Sequence, residues 1–182
     1  MPASDTDTQK NHGGNMSKAI TFNVGERVVY PSHGVGEIMN IETQTVGGME
    51  LQVYAISFPQ DKMVLRVPVT RAAISGLRAL SDKSDINKIY ETIQDKPRQG
   101  NRMWSRRAQE YEGKINSGNI VAVAEVVRDL YKNVDNDRSY SERTIYESAI
   151  NRLSSELSIL EGITQEEAVL KLVEALRDKV AA

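Results

Sequence analysis

The spacing of apolar residues changes character once along this chain, near Leu80-Ser81, and that change dictates two differently built halves. Ahead of it lie short runs with strand character. Val24-Gly25-Glu26-Arg27-Val28-Val29-Tyr30 is rich in β-branched residues and stops at Pro31. Glu37 to Val46, Leu51 to Phe58 and Met63 to Val69 continue the pattern, joined by the hairpin signal Gly47-Gly48 and the turn Pro59-Gln60-Asp61-Lys62. Beyond it, Ile86, Ile89, Tyr90 and Ile93 recur at i, i+3, i+4 and i+7, the period of one helix face.

Four or five short strands within about 50 residues describe a small antiparallel Tudor/SH3-like β-barrel. The second half predicts an all-α bundle of about five helices, so the fold class is α+β in two domains. Pro97 ends the first helix, and the second runs from about Arg102 to Asn116. Asn119 caps a third, with Ile120, Val123, Ala124, Val127, Leu130 and Tyr131 facing inward. After a polar loop from Asn133 to Arg138, Ser139-Tyr140-Ser141-Glu142 and Thr164-Gln165-Glu166-Glu167 are capping boxes that open two more helices. Their apolar stripes are Tyr146, Ala149, Ile150, Leu153 and Leu157, then Val169, Leu172, Val173, Leu176 and Val180. The expected division is a disordered tail over 1–17, a β-domain over 18–80 and a helical domain over 81–182. Met16 is a candidate start, and His12 in the tail carries no expected role.

The same residues exclude much chemistry. The chain has no cysteine and two histidines, no phosphate-binding loop and no spaced metal ligands, so neither an enzyme nor a metal or cofactor site is expected. His33, in the turn His33-Gly34-Val35-Gly36, reads as a turn or capping residue. No apolar run is long enough to span a membrane, and the expected compartment is the cytoplasm.

Two stretches carry candidate binding chemistry. Pro68 cannot donate to a ladder, so the strand Met63 to Val69 is expected at a sheet edge. Alternation sets Val64, Arg66 and Pro68 on one face against Met63, Leu65, Val67 and Val69. Such an edge suits strand addition by a partner protein; equally, Arg66 can simply blunt it against aggregation. The second stretch runs from Lys96 to Arg107 and holds Lys96, Arg98, Arg102, Arg106 and Arg107 with no acid, in a chain of net charge −2. It contains the only tryptophan, Trp104. An aromatic among arginines suits a phosphate backbone with a base step to wedge. Trp104 also shares a helical stripe with Ala108, Tyr111 and Ile115, as a core residue would. Periodicity leaves both roles open.

Val28-Val29-Tyr30-Pro31 followed by His33-Gly34-Val35-Gly36, then Trp104-Ser105-Arg106-Arg107 and Val123-Ala124-Glu125-Val126-Val127-Arg128-Asp129-Leu130-Tyr131, resemble the CarD/CdnL family of bacterial transcription regulators. The resemblance runs from about Phe22 to Leu160. It implies a Tudor-like domain docked on the RNA polymerase β-subunit, in the holoenzyme with the primary sigma factor. It further implies a helical domain that touches promoter DNA near the minus-ten element and stabilises the open complex. Trp104 matches the family's minor-groove wedge, and Arg106 and Arg107 match backbone contacts, with Arg102 and Arg143 completing the expected DNA-binding set. Val64, Arg66, Pro68 and Ile56 form the expected polymerase-contacting set. No cofactor is implied, and the expected protein is a monomer associated with the nucleoid through polymerase. The sequence departs from the family in Met103 ahead of the tryptophan, in Gln44 where some members have a polymerase-contacting arginine, and in Arg143-Thr144 where some have a basic pair. The larger members' basic tail has no counterpart here. The alternative from another class is a protein–protein adaptor without direct DNA contact.

Overall fold

A computed structural model of the chain describes residues 21–98, 100–132 and 139–181, with side chains described as far as 178. The expected tail over 1–17, the loop from Asn133 to Arg138 and the inward face of Val180 lie outside the described residues.

Five antiparallel strands form one sheet: β1 (Arg27–Tyr30), β2 (Gly34–Val46), β3 (Met49–Phe58), β4 (Met63–Pro68) and β5 (Arg78–Ala79), in the order β4-β3-β2-β1-β5. Gly47 and Gly48 make the two-residue β2–β3 hairpin with φ of 59° and 80°, the left-handed pair that such a turn needs. Phe22, Val28, Ile38, Tyr54, Ile56, Phe58, Val67, Ala72 and Leu77 fill one core beneath it. The expected glycine turn is tighter than the sequence suggests, because β2 already starts at Gly34, paired with Tyr30. Gly36 is a packing residue within the strand. A Cβ there would stand 2.7 Å from Phe58 Cε1 and 2.8 Å from Ile56 Cγ2. His33 meets Asp61 Oδ2 through Nδ1 at 3.1 Å and stacks on Tyr30, so it ties the β1–β2 turn to the β3–β4 turn.

Five helices follow: α1 (Lys83–Gln94), α2 (Trp104–Ile115), α3 (Ile120–Leu130), α4 (Tyr140–Glu161) and α5 (Gln165–Ala181). They share a second core that includes Ile89, Ile93, Tyr111, Ile115, Val127, Leu153, Leu157, Leu172 and Leu176. α3 is its centre; even Arg128 and Asp129 are buried there and pair with one another at 2.8 Å. Asn119 and Ser139 cap α3 and α4 as their positions predict. Thr164 and Glu167 exchange both bonds of a capping box ahead of α5. α1 starts under a further box, Asp82 with Asp85, that the sequence reading did not single out.

The halves are joined by two arginines and one glutamate. Arg152 of α4 reaches out of the bundle and donates to the Pro31 carbonyl at 2.6 Å, the Ser32 carbonyl at 2.5 Å and the Ile115 carbonyl at 3.0 Å. Burial lowers its guanidinium pKa from the usual value, against the pull of Asp61. Arg78 of β5 forks onto Glu156 of α4 at 2.8 and 3.0 Å and donates through Nε to the Gly118 carbonyl at 2.6 Å. Glu156, 2% exposed, accepts a third bond from the Ser81 amide. Those bonds satisfy a carboxylate that would otherwise be stranded in a dry site. The void around Arg78, Arg152 and Glu156, about 20 Å³, has room for little more than one water, so the domains pack closely there, while wider clefts of about 420 and 290 Å³ open elsewhere between them.

Candidate functional site

Trp104 is the first residue of α2, at a corner of the bundle. Its ring lies half-buried against the helical core, with the Tyr111 centroid 6.3 Å away and tilted by 48°. Its indole Nε1 donates to Ser141 Oγ of α4 at 3.3 Å. Arg107, one turn on, lays its Cζ 5.5 Å from the Trp104 centroid and 5.8 Å from that of Tyr111. The stripe of Trp104, Ala108, Tyr111 and Ile115 is therefore real, and its depth is graded: Tyr111 and Ile115 are buried, while Trp104 remains partly open to solvent. The core reading of the tryptophan therefore describes the side of the ring that packs on the bundle, and the rest of the ring is open.

The electrostatics of this corner are unusual for a helix start. The first turn of α2 has no acidic residue, its N-cap is Met103 with no side-chain cap bond, and Arg106 and Arg107 follow at once. Cations there oppose the helix dipole, at about 0.3–1 kcal/mol each when exposed. Folding alone does not select them. Arg106 is exposed, and its side chain makes no hydrogen bond or ion pair among the described residues. Arg102 is exposed as well, but it pairs with Glu110. Arg143 is exposed in the opening stretch of α4, the helix that Ser141 ties to Trp104. Met103 and Tyr140 are 76% and 86% exposed, so apolar surface flanks the indole's two anchoring helix starts.

The basic loop before α2 is held down from behind. The Arg98 amide donates to Asp129 Oδ1 at 2.9 Å, and Asp129 also takes the Arg128 guanidinium. Asp129 and Ser141 stand in the sequence only as members of other patterns, and their contacts with Arg98 and Trp104 span 31 and 37 positions, which no local pattern shows. A cleft of about 370 Å³ lies between this loop and α2, lined by Arg98, Arg102, Arg107 and Lys114 among others. Glu110 and Glu125 already take Arg102 and Lys114, which leaves the cleft far less cationic than its composition suggests.

The other predicted site lies on the β-domain, apart from this corner. β4 pairs only with β3 and ends the sheet, as Pro68 requires. Its alternation is the expected one: Val64 and Arg66 are exposed, whereas Met63, Leu65 and Val67 pack on the core. Arg66 faces Ala55 across the ladder while Glu42, on the far side of β3, faces Val53. The two meet over β3 at 2.9 Å, and the bond and charge of Glu42 raise the Arg66 pKa from its usual value. Ile56 corrects the expected contact set. It sits on β3 between two strands with its side chain inward and 0% exposed, so no partner can touch it without opening the core.

These observations meet a family pattern. Residues 22–81 match the model of the CarD-like/TRCF RID domain, and residues 88–173 match that of the CarD C-terminal domain. The candidate transcription factor YdeB of Bacillus subtilis (strain 168) is 30% identical over 147 residues, which cover 80% of this chain and 96% of the relative. The chain belongs to the CarD/CdnL family. As a CarD/CdnL protein it is a transcription regulator of the RNA polymerase-binding kind, not a member of an enzyme family. Its RID-type domain is the five-stranded sheet with the open β4 edge, and its CarD C-terminal domain carries the Trp104 corner. Among the described residues, no helix is long and apolar enough to cross a membrane.

Proposed function

We propose that this CarD/CdnL protein docks as a monomer through β4 on the β-subunit of RNA polymerase and stabilises the promoter open complex with Trp104. The indole enters the minor groove at the upstream edge of the bubble, near the minus-ten element. Arg106, Arg102 and Arg143 contact the flanking phosphates, Arg102 after yielding Glu110 and Arg143 after yielding its contact within the protein. Val64, Arg66 and Pro68 face the polymerase, and Arg66 exchanges Glu42 for a partner carboxylate or carbonyl. No cofactor takes part, and the protein joins the nucleoid through polymerase in the cytoplasm.

The observation that carries this reading is the start of α2: a half-open tryptophan, the only one in the sequence, at a helix start with no side-chain cap, beside an Arg106 side chain without a partner among the described residues. An acidic chain has no long-range attraction for DNA, so tethering has to supply the effective concentration. Given the tether, a weak contact suffices. About 1.4 kcal/mol of preference for the melted state shifts the opening equilibrium tenfold.

The deciding measurement is the lifetime of a promoter open complex with the cognate holoenzyme, with wild-type protein or Trp104→Ala, and circular dichroism to check that the variant folds. Wild type should lengthen the lifetime, and the folded variant should lose about tenfold of that effect, the kinetic equivalent of about 1.4 kcal/mol. Equal lengthening by both would transfer the action to docking alone, as in a protein–protein adaptor. No lengthening by either would reject the open-complex function outright.

A further inference from the structure

Arg106 and Arg107 are adjacent in sequence but differ in setting. Arg106 points away from the bundle and is exposed. Arg107 is half-buried, its Nη2 donates to the Tyr111 hydroxyl at 3.4 Å, and its Nε is buried with no hydrogen-bond partner. A guanidinium that served phosphate would turn its N–H fork toward solvent, where a bidentate anion can reach it. Here the guanidinium carbon lies 5.5 and 5.8 Å from the centroids of two rings on its own helix stripe, at the edge of the cleft it lines with Arg98 and Lys114. Those distances are within the range at which a cation is held by a ring face. Residues 104, 107 and 111 sit at i, i+3 and i+7, so a single helix face brings the three together. On the opposite side, Ser141 of α4 accepts the indole N–H. The indole is thus gripped by its own helix and by a neighbour.

We propose that Arg107 is a positioning residue for Trp104 rather than a phosphate contact: set against the rings of both Trp104 and Tyr111, which also touch one another, it holds the indole in one orientation before any DNA arrives. The consequence for transcription rests on the wedge reading above, but the positioning itself does not, and the test separates the two. Trp104 is the only tryptophan, so emission excited at the red edge, where the seven tyrosines do not absorb, reports on this side chain alone.

The experiment compares Arg107→Met, Arg107→Lys and Arg106→Met, with circular dichroism and thermal melts as folding controls. Acrylamide quenching and anisotropy of Trp104 are read in free protein, and open-complex lifetime is then followed against salt. Arg107→Met should raise quenching and lower anisotropy at unchanged helix content, and shorten the lifetime several-fold while keeping the wild-type salt slope. Arg106→Met should leave the fluorescence unchanged and reduce the slope by about one. Arg107→Lys keeps the charge but loses the broad guanidinium and its bond to the Tyr111 hydroxyl, so it should also loosen Trp104; it decides the matter if the Met variant fails to fold. Wild-type fluorescence in the folded Arg107 variants would overturn the proposal, and a slope reduced by about one in Arg107→Met would make Arg107 a phosphate contact. Loosened fluorescence in the Arg107 variants, together with a lifetime indifferent to Trp104→Ala, would uphold positioning and reject the wedge.

Discussion

α1 and α2 begin within the same domain and in opposite ways. α1 starts at Asp82, whose carboxylate takes the Ser84 amide while Asp85 takes the Asp82 amide. α3, α4 and α5 likewise start under Asn119, Ser139 and the pair Thr164–Glu167. α2 starts at Met103, with no cap bond, no carboxylate in its first turn, and arginines where the dipole disfavours them. The seam between the domains belongs with the capped starts: Glu156 and the guanidiniums of Arg78 and Arg152 meet partners there. Where the chain is held together, most polar groups find partners within it, the buried Arg128 Nη2 being an exception. The exposed start of α2 leaves its groups open at some cost in stability, which suits a contact with another molecule.

The largest effect should come from breaking the satisfied side. Glu156→Ala leaves Arg78 unpaired in a closely packed seam and should cost about 3–5 kcal/mol in urea unfolding. A loss well under 1 kcal/mol would mean that the seam is wet, and the contrast with α2 would collapse. Met103→Asp gives α2 the cap it lacks. Stability should rise by about 1 kcal/mol while the open-complex lifetime falls, since a carboxylate would stand where DNA phosphate is expected. A variant gaining in both would show that the bare helix start has no bearing on DNA.

The smallest effect is a pH dependence confined to α1. Bonds from the Ser84 hydroxyl and amide hold the Asp82 carboxylate below its ordinary pKa. A depressed folded pKa contributes stability above the unfolded value, near 3.9, that is lost as pH falls through the folded one. The protection of the Ser84 amide, measured relative to the intrinsic exchange rate at each pH, should therefore fall on acidification below about pH 4, a range set by the ordinary Asp value. The α2 start, without a capping carboxylate, should not respond in this way; a matched loss of protection in both would mean global unfolding instead.

Much of this architecture was legible in local pattern. Period-two alternation located the strands, the Gly47-Gly48 turn located the hairpin, and Pro68 placed β4 at the edge, because each is a backbone rule acting over a few residues. Three of the helix caps were legible for the same reason. The seam was not: Arg78 and Glu156 stand 78 positions apart, Arg152 and Pro31 121, and no periodicity relates such pairs. Ile56 shows the reverse failure. Its place in a strand was clear, but whether that strand was covered on both sides depended on the order β4-β3-β2, which alternation cannot supply.

The candidate site divides along the same line. By itself the sequence determined that one tryptophan opens a cationic helix and that one strand is an edge, since both follow from neighbours along the chain. Only the tertiary structure decided that Trp104 is half-open, that Ser141 and Arg107 grip it, that Arg106 stands free and that Arg102 is paired with Glu110. Exposure and pairing depend on which distant segments come to rest against a side chain, and that is settled by packing.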